Sequence, residues 1–417
     1  MDITWIKNKF LGRQVVKVEA LKNQYVTLED FLSVPATFYR CLGMDPFVYN
    51  KNTSIAKHLM FTLQFVMLTL TIVMMLELAL LNEDFFESMQ VLGFATCGIA
   101  GILKAISVQI QKDKMIRLVR QLRSCFPSSS SEEEQKQYEV ELYLRRFNRF
   151  AKPFGGLYLI LTSTFGLISI AQYVFQRWVL RSPNPTQYLP YVSLLPWEWR
   201  DSWRYYPTYL MQLINGYTVT WSHLSSDSMI FAVVMQAVMH FDRLTRALRD
   251  FKVRNNGTVG KADEDLKNLG ALIAYHSQVL GLVDVMNKIF GIPLLINFLT
   301  SSLLVCNVGF QLTFGFSTEN FGPQLMFIAT AFVEIYLICF FSQMLIDASG
   351  SVSFAAYDMH WLEADSRFRK MIVLLCMRAQ KPICLKATNF LDISIRTMSG
   401  FLEISYKFFC AIRSMYQ

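Results

Sequence analysis

The residues in this sequence that could do chemistry are charges placed among apolar neighbours. Glu77, Lys104, Asp227 and Glu334 fall inside or at the edge of long apolar runs, where an unpaired ionised group is costly. Glu77 and Lys104 lie near the ends of their runs and can snorkel toward water, and Asp227 falls toward one end of the fourth run. Glu334 differs, because "FIATAFVEIYLICFF" surrounds it with apolar residues. It must face a polar interior, meet a partner or stay protonated, and a structural hydrogen bond and a ligand or permeation role both remain open for it.

A second set of charges threads the last apolar stretch, "NFLDISIRTMSGFLEISYKFFCAIRSM". At about 100° per residue, Asp392, Arg396, Ser399, Glu403, Lys407, Cys410 and Ser414 share a stripe about 80° wide, with Phe390, Phe401, Phe408 and Ile412 on the other side. Asp392 to Arg396 and Glu403 to Lys407 are acid-before-base pairs at four-residue spacing. A helix of this kind is not built to be surrounded by lipid. It either walls a pore or packs with its charges paired against neighbouring helices.

Other chemistry is missing. The sequence holds no Walker loop, GxSxG, HExxH or paired CxxC, so no enzyme class is indicated. His58, His223, His240, His276 and His360 lie far apart and show no metal-ligand spacing, so no metal or cofactor is expected.

The elements that must position these charges are membrane helices. Of the 417 residues 53% are hydrophobic and 17% charged, with a mean hydropathy of +0.29, against roughly a quarter charged in soluble domains. A crossing helix needs about 20 mainly apolar residues. Candidate spans lie at about 58–82, 86–108, 153–176, 205–241, 289–317 and 321–346, and the striped segment at about 388–413 is the seventh. The expected fold is all-α, a seven-helix integral membrane protein. No secretory signal is visible in residues 1–57, where Pro35 interrupts "FLSVPATFY", so insertion relies on the first span.

Orientation follows from the basic residues: 33 of the 40 Lys and Arg lie in segments 1–57, 104–152, 242–288 and 347–387. That bias predicts a cytoplasmic N-terminus and, with seven spans, an extracellular C-terminus. The domains expected are a cytoplasmic segment 1–57, six spans over 58–346 with a long extracellular loop 177–204, a cytoplasmic loop 347–387, and a pore-associated helix in 388–417. The net charge of +8 is then a topology signature. The sequons at Asn52 and Asn256 would stay unmodified in the cytosol, and the eight cysteines, none in an extracellular loop, imply no disulfide framework. This topology opposes that of a G-protein-coupled receptor. Neither an Asp/Glu-Arg-Tyr after the third span nor an Asn-Pro-x-x-Tyr in the seventh is present, and Asp242-Arg243-Leu244 is a partial echo after the fourth.

The stretch "RWVLRSPNPTQYLPYVSLLPWEWRDSWRYYP" holds four of seven tryptophans and five of twelve prolines, and reads as an interfacial anchor or a lid over a pocket. On the basic side, "CFPSSSSEEEQ" reads as a turn feeding a helix with Ser131 and Glu134 spaced as a capping box. "LKNLGALIAYHSQVLGLVDVMNKIF" carries apolar residues at three- and four-residue steps, and the fourth span exceeds the membrane thickness, so helices should project below the bilayer.

The seven spans, the N-inside bias, the long loop after the third span and the final segment together resemble an insect odorant receptor. The specific motif lies in the last 30 or so residues: Ser405-Tyr406, the aromatics Phe408 and Phe409, and "AIRSM". The related gustatory-receptor motif is departed from, with Ser405 in place of its Thr and Ile412-Arg413 in place of its Gln-Phe. The resemblance implies a subunit of a ligand-gated, non-selective cation channel, paired in a heterotetramer with an Orco-type co-receptor subunit and with its seventh helix along the conduction path. It maps a hydrophobic gate to Phe409, with Ile412 and Arg413 just outside, which would leave the charged stripe packed on the subunit's own helices. It implies a small volatile organic ligand held among the second, third, fourth and sixth spans. Ser163, Gly166 and Ile170 are the first expected contacts, then Tyr173, Met211, Tyr217 and Phe327. A conventional G-protein-coupled or gustatory-type chemoreceptor is the alternative, and a transporter ranks last for want of broken helices or an internal repeat.

Overall fold

The computed structural model describes residues 25–45, 47, 55–128, 131–181, 186–254, 259–314, 318–388 and 391–416. Both sequons, Asn52 and Asn256, and Phe390 lie outside them. The described chain forms α1 (Leu28–Cys41), α2 (Ile55–Leu81), α3 (Phe85–Ile110), α4 (Lys112–Cys125), α5 (Glu132–Tyr138), α6 (Val140–Val174), α7 (Tyr205–Arg249), α8 (Val259–Phe314), α9 (Thr318–Tyr357) and α10 (Ser366–Ala379). A two-stranded pairing of β1 (Lys386–Ala387) with β2 (Leu391–Asp392) then leads into α11 (Ile395–Tyr416).

Six of these helices, α2, α3, α6, α7, α8 and α9, are long and apolar enough to cross a membrane, and α11 is the seventh of the bundle. At the two extremes burial runs against hydropathy. The best window of α2, mean hydropathy 2.2, is 28% buried, whereas that of α7, mean hydropathy 1.3, is wholly buried. The least apolar helix therefore stands at the centre, where protein rather than lipid meets its Ser, Thr, Asn, Gln and His side chains.

The three longest helices far outrun the bilayer. At 45, 56 and 40 residues, α7, α8 and α9 are about 68, 84 and 60 Å long, against a hydrocarbon core of about 30 Å. Their overhang meets α1, α4, α5 and α10 in a second, helical layer at one end of the bundle. Asp242 and Arg243 belong to that layer: Tyr143 donates to Asp242, and Arg243 donates to Gln137 at 2.8 Å. The expected capping box is half made. Ser131 Oγ accepts from the Glu134 N–H at 3.3 Å, while the Glu134 carboxylate takes the Ser128 N–H at 3.1 Å instead of closing on Ser131.

The segment before α11 differs from the expectation of one helix over 388–413. Thr388 takes a left-handed φ of 66°, and Asp392 pairs with Lys386 across the strands at 3.4 Å, so the Asp392–Arg396 helical pair does not form. Side chains of α8 and α9 clamp the turn: Asn287 donates to the Cys384 carbonyl at 3.0 Å, and Ser342 Oγ donates to the Ile393 carbonyl at 2.7 Å. Gly291 of α8 lies under it, where a Cβ would come within 3.1 Å of the Thr388 backbone nitrogen. Burial in this clamp, with Asp392 nearby, pushes the Cys384 thiol up to about 11.

Candidate functional site

A cavity of about 80 Å³ lies inside the bundle, among α2, α3, α6, α7 and α9. From α6 it takes Tyr158, Leu161, Thr162 and Phe165, spaced i, i+3, i+4 and i+7, the spacing of one helix face. α7 supplies Asn215, Gly216, Val219 and Thr220; α2 supplies Leu68, Thr71, Ile72 and Met75; α3 supplies Phe94, Cys97 and Gly98. Phe94, Phe165 and Phe327 close one side, with Phe94–Phe165 ring centres 5.4 Å apart and Phe94–Phe327 5.8 Å apart. An apolar chamber with aromatic walls and a few placed polar groups is the usual form of a small-molecule site.

The loop between α6 and α7 supplies the cap. Its Tyr191 enters the cavity wall, held by its N–H donating to Gln212 at 2.9 Å. Gln212 Nε2 donates to Ser193 at 3.2 Å, and Trp197 Nε1 to Thr208 at 3.0 Å, so the loop is fastened to the first turns of α7. A Cβ on Gly216 would stand 2.4 Å from the Tyr191 hydroxyl, so only glycine leaves room for the ring there. Tyr191 also borders an outer recess that contains Tyr173 and Arg177, and is therefore the partition between recess and cavity.

Beneath the cavity lies a buried charge cluster. Lys104 Nζ of α3 donates to Asp227 at 3.0 and 3.1 Å and to Glu334 at 2.8 Å, and stands 3.1 Å from His223 Nδ1. The Lys104 and Asp227 side chains are each 1% exposed. His223 Nδ1 also stands 3.3 Å from Glu334 Oε1, and its Nε2 faces the Cys97 carbonyl at 3.4 Å, so the ring bridges the cluster to α3. Tyr158 donates to the second Glu334 oxygen, which ties the cluster to the cavity wall. His223, Asp227 and Glu334 could together hold a metal ion, but the Lys104 ammonium already supplies the positive charge among them.

Lys104 therefore does not snorkel, and Asp227 is not at the end of its helix. α7 runs from Tyr205 to Arg249 and puts Asp227 at its midpoint. Of the options left open for Glu334, the structure provides a partner.

The expected ligand contacts divide. Phe327 lines the cavity; Ser163, Gly166, Ile170, Tyr173, Met211 and Tyr217 do not. Ser163 and Tyr217 bond each other at 3.0 Å beside the cavity wall, and Ile170 is 40% exposed. Gly166 is a helix contact, its carbonyl accepting from Tyr209 and its absent Cβ leaving room for Leu213. The face of α6 turned to the cavity is its neighbour, Tyr158–Leu161–Thr162–Phe165, whose i, i+3, i+4, i+7 aromatic and Thr spacing was the available signal. Likewise His223 and Asp227, four apart on α7, were a local sign of the cluster.

α11 attaches by a narrow face. Phe401 and Ser405 are buried, and Phe409 and Ile412 half-buried, with Phe409 against Gly309. Arg396, Ser399, Glu403, Lys407, Cys410, Arg413 and Ser414 are exposed, and Glu403 and Lys407 pair at 2.6 Å. The charged stripe thus does not pack on the subunit's own helices, because the Phe401–Ser405–Phe409 side offers the larger apolar contact. Exposed apolar side chains flank the stripe on both sides: Leu402 and Tyr406 on one, Ile404 and Phe408 on the other.

Comparison with known proteins places this geometry. Residues 83–406 match the family model described as 7tm Odorant receptor. The chain is 45% identical to Odorant receptor 67a of Drosophila melanogaster, covering 96% of this chain and 99% of that one. It is 33% identical to Odorant receptor 85c of the same species, over 93% and 99% of the two chains. The solved structure of the insect olfactory receptor OR5 from Machilis hrabei in complex with eugenol shares the fold, with a TM-score of 0.75 at 15% identity, covering 93% of this chain and all of that one. With its relatives receptors rather than enzymes, and its apolar helices crossing the plasma membrane several times, the chain belongs to the odorant receptor family.

Proposed function

We propose that the chain is the tuning subunit of an odorant-gated, non-selective cation channel, assembled with an Orco-type co-receptor subunit as a heterotetramer. The observation that carries this reading is the outward face of α11. Arg396, Glu403, Lys407 and Arg413 are exposed on a helix of a membrane bundle, and charged groups there need water or protein in place of hydrocarbon. The stripe spans about 80°, close to the quarter-turn that each of four helices around one axis offers to a shared conduit. The apolar shoulders on either side suit contact with neighbouring subunits. Arg413, exposed on the Leu402–Tyr406 shoulder, borders that conduit outside the stripe, whereas Phe409 and Ile412, half-buried, serve as a gate only when α11 turns.

The ligand is a small volatile organic molecule, and the Machilis receptor, whose solved complex contains eugenol, supports a chamber of this kind in the fold. It occupies the cavity lined by Phe327 and Phe94, with the loop within 177–204 as its cap and Tyr173 in the outer recess. The basic-residue bias supports a cytosolic N-terminus and helical layer, with residues 1–57 and 347–387 on that side.

The test is membrane current in cells expressing the chain alone and with the co-receptor, under a panel of volatile compounds. Ligand-evoked cation current only in the co-expressing cells is expected. Surface-expressed protein that never alters conductance with the partner would refute the channel reading.

A further inference from the structure

The wall of the cavity contains one buried acceptor whose direction is fixed by a chain of hydrogen bonds. Asn215, 3% exposed, donates from Nδ2 to Thr71 Oγ1 at 2.8 Å, and Thr71 Oγ1 donates onward to the Met67 carbonyl at 3.0 Å. With the Thr71 proton given to Met67, its oxygen accepts from the amide, which assigns the nitrogen of Asn215 to the Thr71 side. Asn215 Oδ1 is left buried with no hydrogen-bond partner among the described residues. A buried, unpaired carbonyl oxygen is a cost that a bound donor removes.

The other hydroxyls nearby cannot reverse that bias. Thr162 donates to the Tyr158 carbonyl at 3.0 Å and so accepts from Thr220 at 2.5 Å, while Tyr158 donates to Glu334. Their protons are used within the protein. The Tyr191 hydroxyl lies over Gly216, the residue after Asn215, and Tyr191 lines the same cavity, where its hydroxyl can donate to a ligand oxygen.

We infer that Asn215 Oδ1 is a specificity determinant that selects ligands carrying a hydroxyl donor, alcohols and phenols, over ethers and esters of the same shape. A ligand hydroxyl donates to Asn215 and still has a lone pair for Tyr191; an ether or ester oxygen can only accept and leaves Asn215 unsatisfied. This rests on the cavity being the ligand site of the proposed channel.

The experiment compares benzyl alcohol, 4-methylphenol and 1-hexanol, each with its methyl ether, on the chain complexed with its co-receptor. Potency is read as current, and binding separately as the shift in melting of the purified complex, so that a failure of gating is distinguishable from a failure of recognition. Wild type should favour each alcohol or phenol by roughly tenfold, the scale of one hydrogen bond plus the relief of a buried acceptor. Asn215→Leu should bring that ratio close to one. Thr71→Val, nearly isosteric, frees the Asn215 N–H to meet an ether oxygen and should lower the ratio by raising ether potency, which keeps the test independent of how well Asn215→Leu folds. Equal potency of alcohol and ether on wild type, a preference unchanged in both variants, or no melting shift with any alcohol would overturn the inference.

Discussion

Replacing Lys104 by Met should damage this protein far more than any other single lysine substitution in the bundle. Among the described residues the ammonium is the one lysine or arginine group touching Asp227 and Glu334, at 3.0 and 2.8 Å, and all three side chains are at most 4% exposed. Lys104→Met keeps most of the side-chain volume and removes the charge, leaving two carboxylates facing each other in a low-dielectric interior. Removing one partner of a buried ion pair costs about 3–5 kcal/mol, more than two orders of magnitude in a folding equilibrium. In detergent, the apparent melting temperature should fall by on the order of 5–10 °C and the surface yield with it. Lys407→Met provides the control: the same change at a side chain 70% exposed should leave melting unchanged. The triple variant Lys104→Met, Asp227→Asn, Glu334→Gln removes the stranded charges and should recover most of the loss, since neutral replacements of buried ion clusters are often close to wild type. A Lys104→Met protein that melts with wild type, or a triple variant no better than the single, would refute the reasoning that the ammonium compensates buried charge.

Gly216→Ala should lift Tyr191 from the cavity wall, since its Cβ would lie 2.4 Å from the hydroxyl; ligand potency should drop roughly tenfold at normal surface level, read by concentration-response current. Gly291→Val should collide with the Thr388 and Lys386 backbone at 3.1 and 3.3 Å, costing about 1–3 kcal/mol and mis-setting α11, so that evoked current falls more than ligand binding, read as melting shift. Glu403→Lys should leave stability unchanged, both members of its pair being exposed, while altering the current-voltage relation of the channel.

What was legible in the sequence follows from range. Hydropathy located α2, α3 and α6 to α9 because lipid imposes a local demand on every crossing segment, and the length of the fourth span with the amphipathic stretch before the fifth pointed to helices projecting below the bilayer, although not to how far α8 and α9 extend. Lys104 looked free to snorkel because its partners lie 123 and 230 residues away. Only the four-residue step from His223 to Asp227 hinted locally that α7 carries a polar face inward. On α6, the sets Ser163–Gly166–Ile170 and Tyr158–Leu161–Thr162–Phe165 both have helical spacing, and choosing between them requires knowing which helices stand opposite. The stripe on α11 was plain from periodicity, yet its outward direction depends on where α8 and α9 place their apolar contacts. The pairing of Lys386 with Asp392 had no signature, because two-residue strands carry no alternation to read.

The most direct test of the central claim is cysteine accessibility along α11 during ligand-evoked current, with the exposed Cys410 replaced by Ala as background. The buried Cys384, its thiol pushed up to about 11, stays unreactive at neutral pH. A charged, membrane-impermeant thiol reagent should modify Glu403→Cys and Lys407→Cys and change the current, and should spare Ile404→Cys on the apolar shoulder. Equal reaction at residues 404 and 407, or none at 403 and 407 while the channel conducts, would contradict the assignment of the charged face of α11 to the conduit.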